Sequence, residues 1–214
     1  MILIGQYDSP FVRRVAIALR RYDLPYEHRP WSVWADADKL GRINPLRRVP
    51  TLLLDDGSVL VESWAILEAL DEMVGPERSL LPRTGLVRRE GLRLCALSTG
   101  LGDKAVSLFY EPLLRATPSE IWIARCKRQI VDTLDVLEVD RSRRATLYWL
   151  GDSLTHADVA VACVLRFTSE AHPGLFDERR WPNLAAHSAR CEALEEFRMI
   201  SQPITVASPE RPKS

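Results

Sequence analysis

The sequence predicts an α/β domain followed by an all-helical domain, and three observations carry that reading. Short apolar runs alternate with helical periodicity through the early part of the chain. A breaker-rich stretch then runs from Gly75-Pro76 to Gly85. Beyond it only helical patterns recur. The expected organisation is residues 1–78, a linker at 79–85 and a helical part at 86–214.

Ile2-Leu3-Ile4 is a brief apolar run ended by Gly5, as suits a buried parallel strand. Ser9-Pro10 then opens a helix, with Ser at the N-cap and Pro at the first helical position. Val12, Val15, Ala16 and Leu19 make one face of it apolar. Tyr26 to Arg29 is a candidate second strand between Pro25 and Pro30. Residues 31–48 carry no clear pattern. Thr51 to Leu54, Asp55-Asp56-Gly57 and Val59 to Val61 read as a hairpin closed by an Asp-Gly turn. Ile66, Leu67, Leu70 and Met73 mark a helix beginning near Ser63.

In the second part, Leu86 to about Tyr110 reads as a helix weakened by Gly100 and Gly102. Thr117-Pro118-Ser119-Glu120 has the form of a capping box and predicts a second long helix from there. Thr155-His156-Ala157-Asp158 predicts a third. It is apolar almost all round, so it belongs at the centre of its domain. Trp181-Pro182 opens a fourth. The tail from Gln202 holds three prolines and little apolar content, which predicts loose order.

Composition narrows the function classes. Lys and Arg number 29 and Asp and Glu number 29, so the formal net charge is zero. That balance exerts no global pull toward nucleic acid or an anionic membrane. No signal peptide and no bilayer-spanning stretch is read. Cys95, Cys126, Cys163 and Cys191 are far apart and form no Cys-x-x-Cys pair, so free thiols in a reducing cytoplasm are expected. The four histidines are scattered, and no metal site is expected.

Four features bear on chemistry. Val49-Pro50 stands just before a strand. A trans proline opening an edge strand is the commoner form, and a cis bond is the alternative. A cis bond would leave the backbone of Val49 facing outward, available to a bound peptide. Glu62-Ser63 lies where a strand hands over to a helix N-terminus, a place that suits a carboxylate, with Glu62 available to an amino group. An ordinary helix start explains the pair equally well. Ser9 is accounted for as an N-cap, yet a hydroxyl at a helix N-terminus also favours a thiolate. Tyr7 is the rival donor, and Asp8 works against an anion there. Arg47-Arg48 is a candidate partner for a carboxylate, or a solvated loop.

Together these pieces resemble one family. Ser9-Pro10-Phe11-Val12-Arg13-Arg14-Val15 is similar to the serine-type glutathione transferase signature. Asn44-Pro45-Leu46-Arg47-Arg48-Val49-Pro50-Thr51-Leu52 resembles that family's Asn-Pro-x-Gly-Lys-Val-Pro-x-Leu segment. Asp56 to Ser63 resembles its strand-to-helix glutathione motif, and Gly151 to Asp158 its buried capping box. The Ser-Pro-Phe-Val-Arg form is most like a bacterial subgroup, with tau-type plant enzymes sharing Ser-Pro-Phe. Arg47, where Gly is usual, and Asp8 depart from the pattern.

The resemblance implies a thioredoxin-like α/β domain and an all-α helical bundle, in a homodimer. It implies glutathione as cosubstrate, with no metal, and a small hydrophobic electrophile as second substrate. Ser9 matches the catalytic, thiol-activating residue. Val49-Pro50 is implied to be cis, with the Val49 backbone on the cysteinyl part of glutathione. Glu62 and Ser63 match the γ-glutamyl site, and Arg48 the residue near the glycyl carboxylate. Trp34, Phe109 and Tyr110 are the expected second-substrate residues. The expected activity is detoxifying glutathione transfer. The rival readings are another glutathione-dependent enzyme (isomerase, dehalogenase or lyase) and a non-catalytic interaction module.

Overall fold

A computed structural model describes residues 1–205. By its internal contacts the chain forms two units. One is Met1–Arg78 together with the described residues from Met199 onward, and the other is Ser79–Arg198.

The first unit runs β1 (Ile2–Ile4), α1 (Pro10–Arg21), β2 (Glu27–Arg29), α2 (Ala37–Gly41), β3 (Thr51–Leu53), β4 (Val59–Val61) and α3 (Ser63–Val74). The sheet order is β2-β1-β3-β4, with β2 parallel to β1 and the other pairs antiparallel. Val12, Val15, Ala16 and Leu19 of α1 are fully buried, as the helical spacing of apolar residues requires. Removing each larger side chain of that set from water contributes roughly 1.5–3 kcal/mol. α1 packs against α3. The register places Ile4 opposite Thr51, and Thr51 opposite Val61. Gly5, Pro50 and Glu62, the next residues along these three strands, therefore meet at one end of the sheet.

The second unit contains α4 (Gly85–Leu114), α5 (Glu120–Ser142), α6 (His156–Ala171) and α7 (Pro182–Glu192), with α8 (Glu195–Met199) at its end. Residues 156–165 of α6 are all buried, and α4 and α7 pack against this helix. The architecture is thus a mixed four-stranded sheet with helices, followed by an all-helical unit. No helix of the described residues is long and apolar enough to cross a membrane.

Several elements depart from the sequence reading. α2 falls in the stretch that carried no pattern. α4 continues through Gly100, Gly102 and Pro112 to Leu114, because its buried face from Gly91 to Glu111 outweighs their poor propensity. α5 is capped by Ser119, not Thr117: the Ser119 hydroxyl accepts the Trp122 N–H, and the Ser119 N–H donates to Glu111 at 2.8 Å. Gln202 to Thr205 is tied to the first unit by hydrogen bonds, against the expected loose order. The rest of that tail lies outside the described residues.

Candidate active site

Ser9 is the N-cap of α1. Its Oγ accepts the Val12 N–H at 3.4 Å, with Pro10 at the first helical position. A serine oxygen that accepts from the helix keeps its own O–H hydrogen for another acceptor. The Phe11 N–H, left over by Pro10 and the Ser9 cap, and the helix dipole add positive potential at the same place.

Tyr7, two residues earlier, points elsewhere. Its hydroxyl lies 2.9 Å from the Tyr26 hydroxyl, and its ring stacks on His28 with centroids 3.8 Å apart. Burial, reinforced by the hydrogen bond to Tyr26, pushes the Tyr7 phenol well above its ordinary range. Asp8 is also engaged, since its Oδ2 accepts the N–H and hydroxyl of Thr205 at 3.0 and 2.9 Å.

The Val49-Pro50 bond is cis. Among the described residues, neither the N–H nor the carbonyl of Val49 takes part in a hydrogen bond. The loop is held from beneath by Asn44, which is 1% exposed. Asn44 Nδ2 donates to the Arg48 carbonyl at 3.0 Å and to Thr51 Oγ1 at 2.9 Å, and its Oδ1 accepts the Leu46 N–H at 3.0 Å. Gly5 brings this loop against α1. A Cβ built on Gly5 would lie 2.5 Å from Val12 Cγ2 and 2.8 Å from Val49 Cβ.

Glu62 is the N-cap of α3, at φ 66°, and Ser63 is the first helical residue and is buried. Among the described residues no side chain caps α3, so its first N–H groups have no capping acceptor there. Arg48 Nη1 and Glu62 Oε1 form an exposed ion pair at 3.0 Å. Arg47 turns the other way, to Asp38 at 2.8 Å. The structure therefore brings Arg48, Val49, Pro50, Glu62 and Ser63 to one end of the sheet, where Gly5 lies between Val12 of α1 and Val49 of the loop.

The expected second-substrate residues divide between the units. Trp34 is 36% exposed, just before α2. Phe109 lies on α4, where its ring meets Tyr110, Phe167 and His172 edge-on.

Residues 8–73 match the model of the glutathione S-transferase N-terminal domain, and residues 120–190 match that of the C-terminal domain. The chain belongs to the glutathione S-transferase family. Among solved members, a glutathione S-transferase from Methylobacterium radiotolerans in complex with glutathione sulfonate is 33% identical, with a TM-score of 0.87 over 96% of this chain and 97% of that one. A family member from Pseudomonas fluorescens with bound glutathione is 30% identical, with a TM-score of 0.85 over 95% and 99%. A probable maleylacetoacetate isomerase of Caenorhabditis elegans is 30% identical over 75% of each chain.

Two residues that shape this candidate site carry no separate signal in the sequence. Asn44 was visible only as part of a motif, because its partners are set by the loop's path. Gly5 was visible only as a strand end.

Proposed function

We propose that this family member is a glutathione S-transferase of the serine type, in which Ser9 activates the thiol of glutathione for attack on a small hydrophobic electrophile. The convergence of the Ser9 helix and the Val49 loop across Gly5 carries this reading. The Val49 N–H and carbonyl pair with the backbone of the cysteinyl residue, next to cis-Pro50. That pairing delivers the sulfur to the N-terminus of α1. Ser63 and the uncapped start of α3 hold the γ-glutamyl carboxylate, and Glu62 holds its ammonium. Arg48 takes the glycyl carboxylate. The Arg48–Glu62 pair is exposed and so contributes little by itself, which lets the two opposite charges of the tripeptide replace it.

In the reaction the thiol proton leaves to solvent. The sulfur anion accepts a hydrogen bond from the Ser9 hydroxyl, and the α1 dipole lowers its energy. Attack then forms the carbon–sulfur bond and expels the leaving group of the electrophile, or adds across an activated double bond whose other carbon takes a proton from solvent. The proposed setting is the cytoplasm, where the four buried cysteines, none of them in a disulfide, stay reduced, and the proposed assembly is a homodimer.

Similarity to the maleylacetoacetate isomerase supports a second reading, a glutathione-dependent isomerase. There the same thiolate adds to a double bond and leaves again after rotation, so glutathione is not consumed. Consumption of glutathione against a panel of electrophiles separates the two.

The thiol-activating role is tested by ultraviolet absorbance of the thiolate in the glutathione complex as pH is varied. Ser9→Ala should raise the thiol pKa and lower turnover about 10²–10³-fold, with affinity nearly unchanged. Tyr7→Phe should have the smaller effect, because its hydroxyl is spent on Tyr26. A larger shift in Tyr7→Phe than in Ser9→Ala would transfer the role to the tyrosine. Absence of glutathione binding to the wild type at millimolar concentration would overturn the enzyme reading altogether.

A further inference from the structure

The chain returns to the entrance of α1 near its far end. Residues 200–205 reach the three residues that precede Ser9, and the helix itself. Arg13 Nε donates to the Ile200 carbonyl at 2.8 Å in a buried contact. The Tyr7 N–H donates to Gln202 Oε1 at 3.1 Å. Gln6 Nε2 donates to Thr205 Oγ1 at 3.1 Å. Thr205 in turn donates twice to Asp8 Oδ2, from its N–H at 3.0 Å and its hydroxyl at 2.9 Å. Gln6, Tyr7 and Asp8 are thus each held in turn.

Asp8 makes this arrangement matter. A carboxylate one residue before an N-cap is close enough to turn onto the Phe11 N–H, the donor of the first turn that neither Pro10 nor the Ser9 cap takes up. There it would occupy the positive potential that a thiolate needs. Thr205 supplies two donors that satisfy the carboxylate elsewhere. Residues 200–205 carry no ionisable side chain, so they add no charge of their own. Among the described residues, the ionisable groups named so far have partners of their own. Tyr7 is paired with Tyr26 and stacked on His28, Arg13 is tied to Ile200, and Arg48 and Glu62 pair with each other. Asp8 is the one acid of the loop that directly precedes the cap.

We propose that Thr205 is a positioning residue for the reaction, holding the Asp8 carboxylate away from the N-terminus of α1 so that the place beside Ser9 stays open to the thiolate. This rests on the reading of Ser9 as thiol activator. Asp8 then departs from the family pattern without harm to thiolate formation, because the end of the chain supplies its partner.

The test uses the full chain and the thiolate absorbance of the glutathione complex as a function of pH. Thr205→Val removes the hydroxyl donor and leaves the N–H. It should raise the thiol pKa by about half a unit or more. Thr205→Ser keeps the hydroxyl and should match the wild type. The double variant Asp8→Asn/Thr205→Val removes the charge itself and should return the titration to the wild-type value. A purely structural role for the contact predicts a different pattern: a lower melting temperature in Thr205→Val with an unmoved thiol titration. That pattern overturns the proposal, as does a double variant that stays shifted. A wild type that binds no glutathione overturns instead the reading on which it rests, so the two failures are distinguishable.

Discussion

At Gly5 the backbone has φ 129°, and the space where a side chain would stand is filled by Val12 on one side and Val49 on the other. Both the conformation and the close approach require glycine. Gly5→Ala should therefore destabilise the protein by at least about 2 kcal/mol, read from the urea midpoint at unchanged m-value. It should also weaken glutathione binding, because any relaxation pushes the Val49 loop from α1. A stable variant with wild-type affinity would show that the two segments need no such contact. Arg47 is a contrasting case. It sits at φ 51°, in the left-handed region that favours glycine, where the family resemblance has Gly. Its guanidinium pairs with Asp38 and lies against Gly41, contacts that offset the unfavourable backbone. At this scale the sequence is legible where chemistry is local. Ser9 with Pro10 announces a cap, and Glu62-Ser63 announces a helix entrance. Asn44 and Gly5 are illegible because their meaning lies in which distant atoms the fold brings to them.

The helix α6 is the element most plainly written in the sequence, since apolar residues on every face leave it only one place to go. Its capping box forms as expected: Asp158 Oδ2 accepts the Thr155 N–H at 2.8 Å. Asp158 also accepts the Trp149 N–H at 2.9 Å through its other oxygen, a link between loop and helix that no local pattern reveals. His187 of α7 completes the junction. Its Nε2 lies 3.4 Å from the Asp158 carbonyl oxygen and 3.6 Å from Cys191 Sγ, and its ring meets Trp149 edge-on. Burial pushes the His187 imidazole down, and this outweighs the Asp158 charge 3.9 Å away, whose carboxylate is already engaged by Trp149 and Thr155. The sign follows directly. The unfolded chain takes up a proton near pH 6.5 and the folded chain does not, so stability is fully present above that pH and is lost as pH falls below it. The expected loss from this one group is about 2 kcal/mol between pH 7 and pH 5, measured by chemical denaturation. His187→Gln should lack that portion of the slope. An identical slope in the variant would assign the pH dependence to other groups. By contrast α2, only five residues long, is too short for periodicity to register, and α4 runs to Leu114, past the expected end near Tyr110, because its buried face outweighs the propensity of its glycines.

Across the whole molecule, the order of elements and the change from mixed to all-helical structure are both visible in the sequence, because each is a change of period. The return of residues 200–205 to Gln6, Tyr7 and Asp8 is not visible, since two segments at opposite ends of the chain share no pattern. The assembly poses the remaining question at this scale. In the first unit Trp64, in the opening turn of α3, is 66% exposed, Met73 near its end is 48% exposed, and Val59 on the edge strand β4 is 39% exposed. An indole left in water on a helix beside a sheet edge is an expensive arrangement for a monomer. Covering it removes apolar area at about 25 cal/mol per Å². These residues are the proposed contact face of the homodimer. A symmetric interface repeats every contact, so one substitution acts twice. Trp64→Glu should therefore shift the protein from dimer to monomer in sedimentation velocity at micromolar concentration, with the fold retained by circular dichroism. Glutathione affinity should also fall, because the new carboxylate stands in the first turn of α3, the turn proposed to hold the γ-glutamyl carboxylate. A variant that still sediments as a dimer moves the interface to another face, and a wild type that sediments at 24.3 kDa removes the homodimer from the proposal.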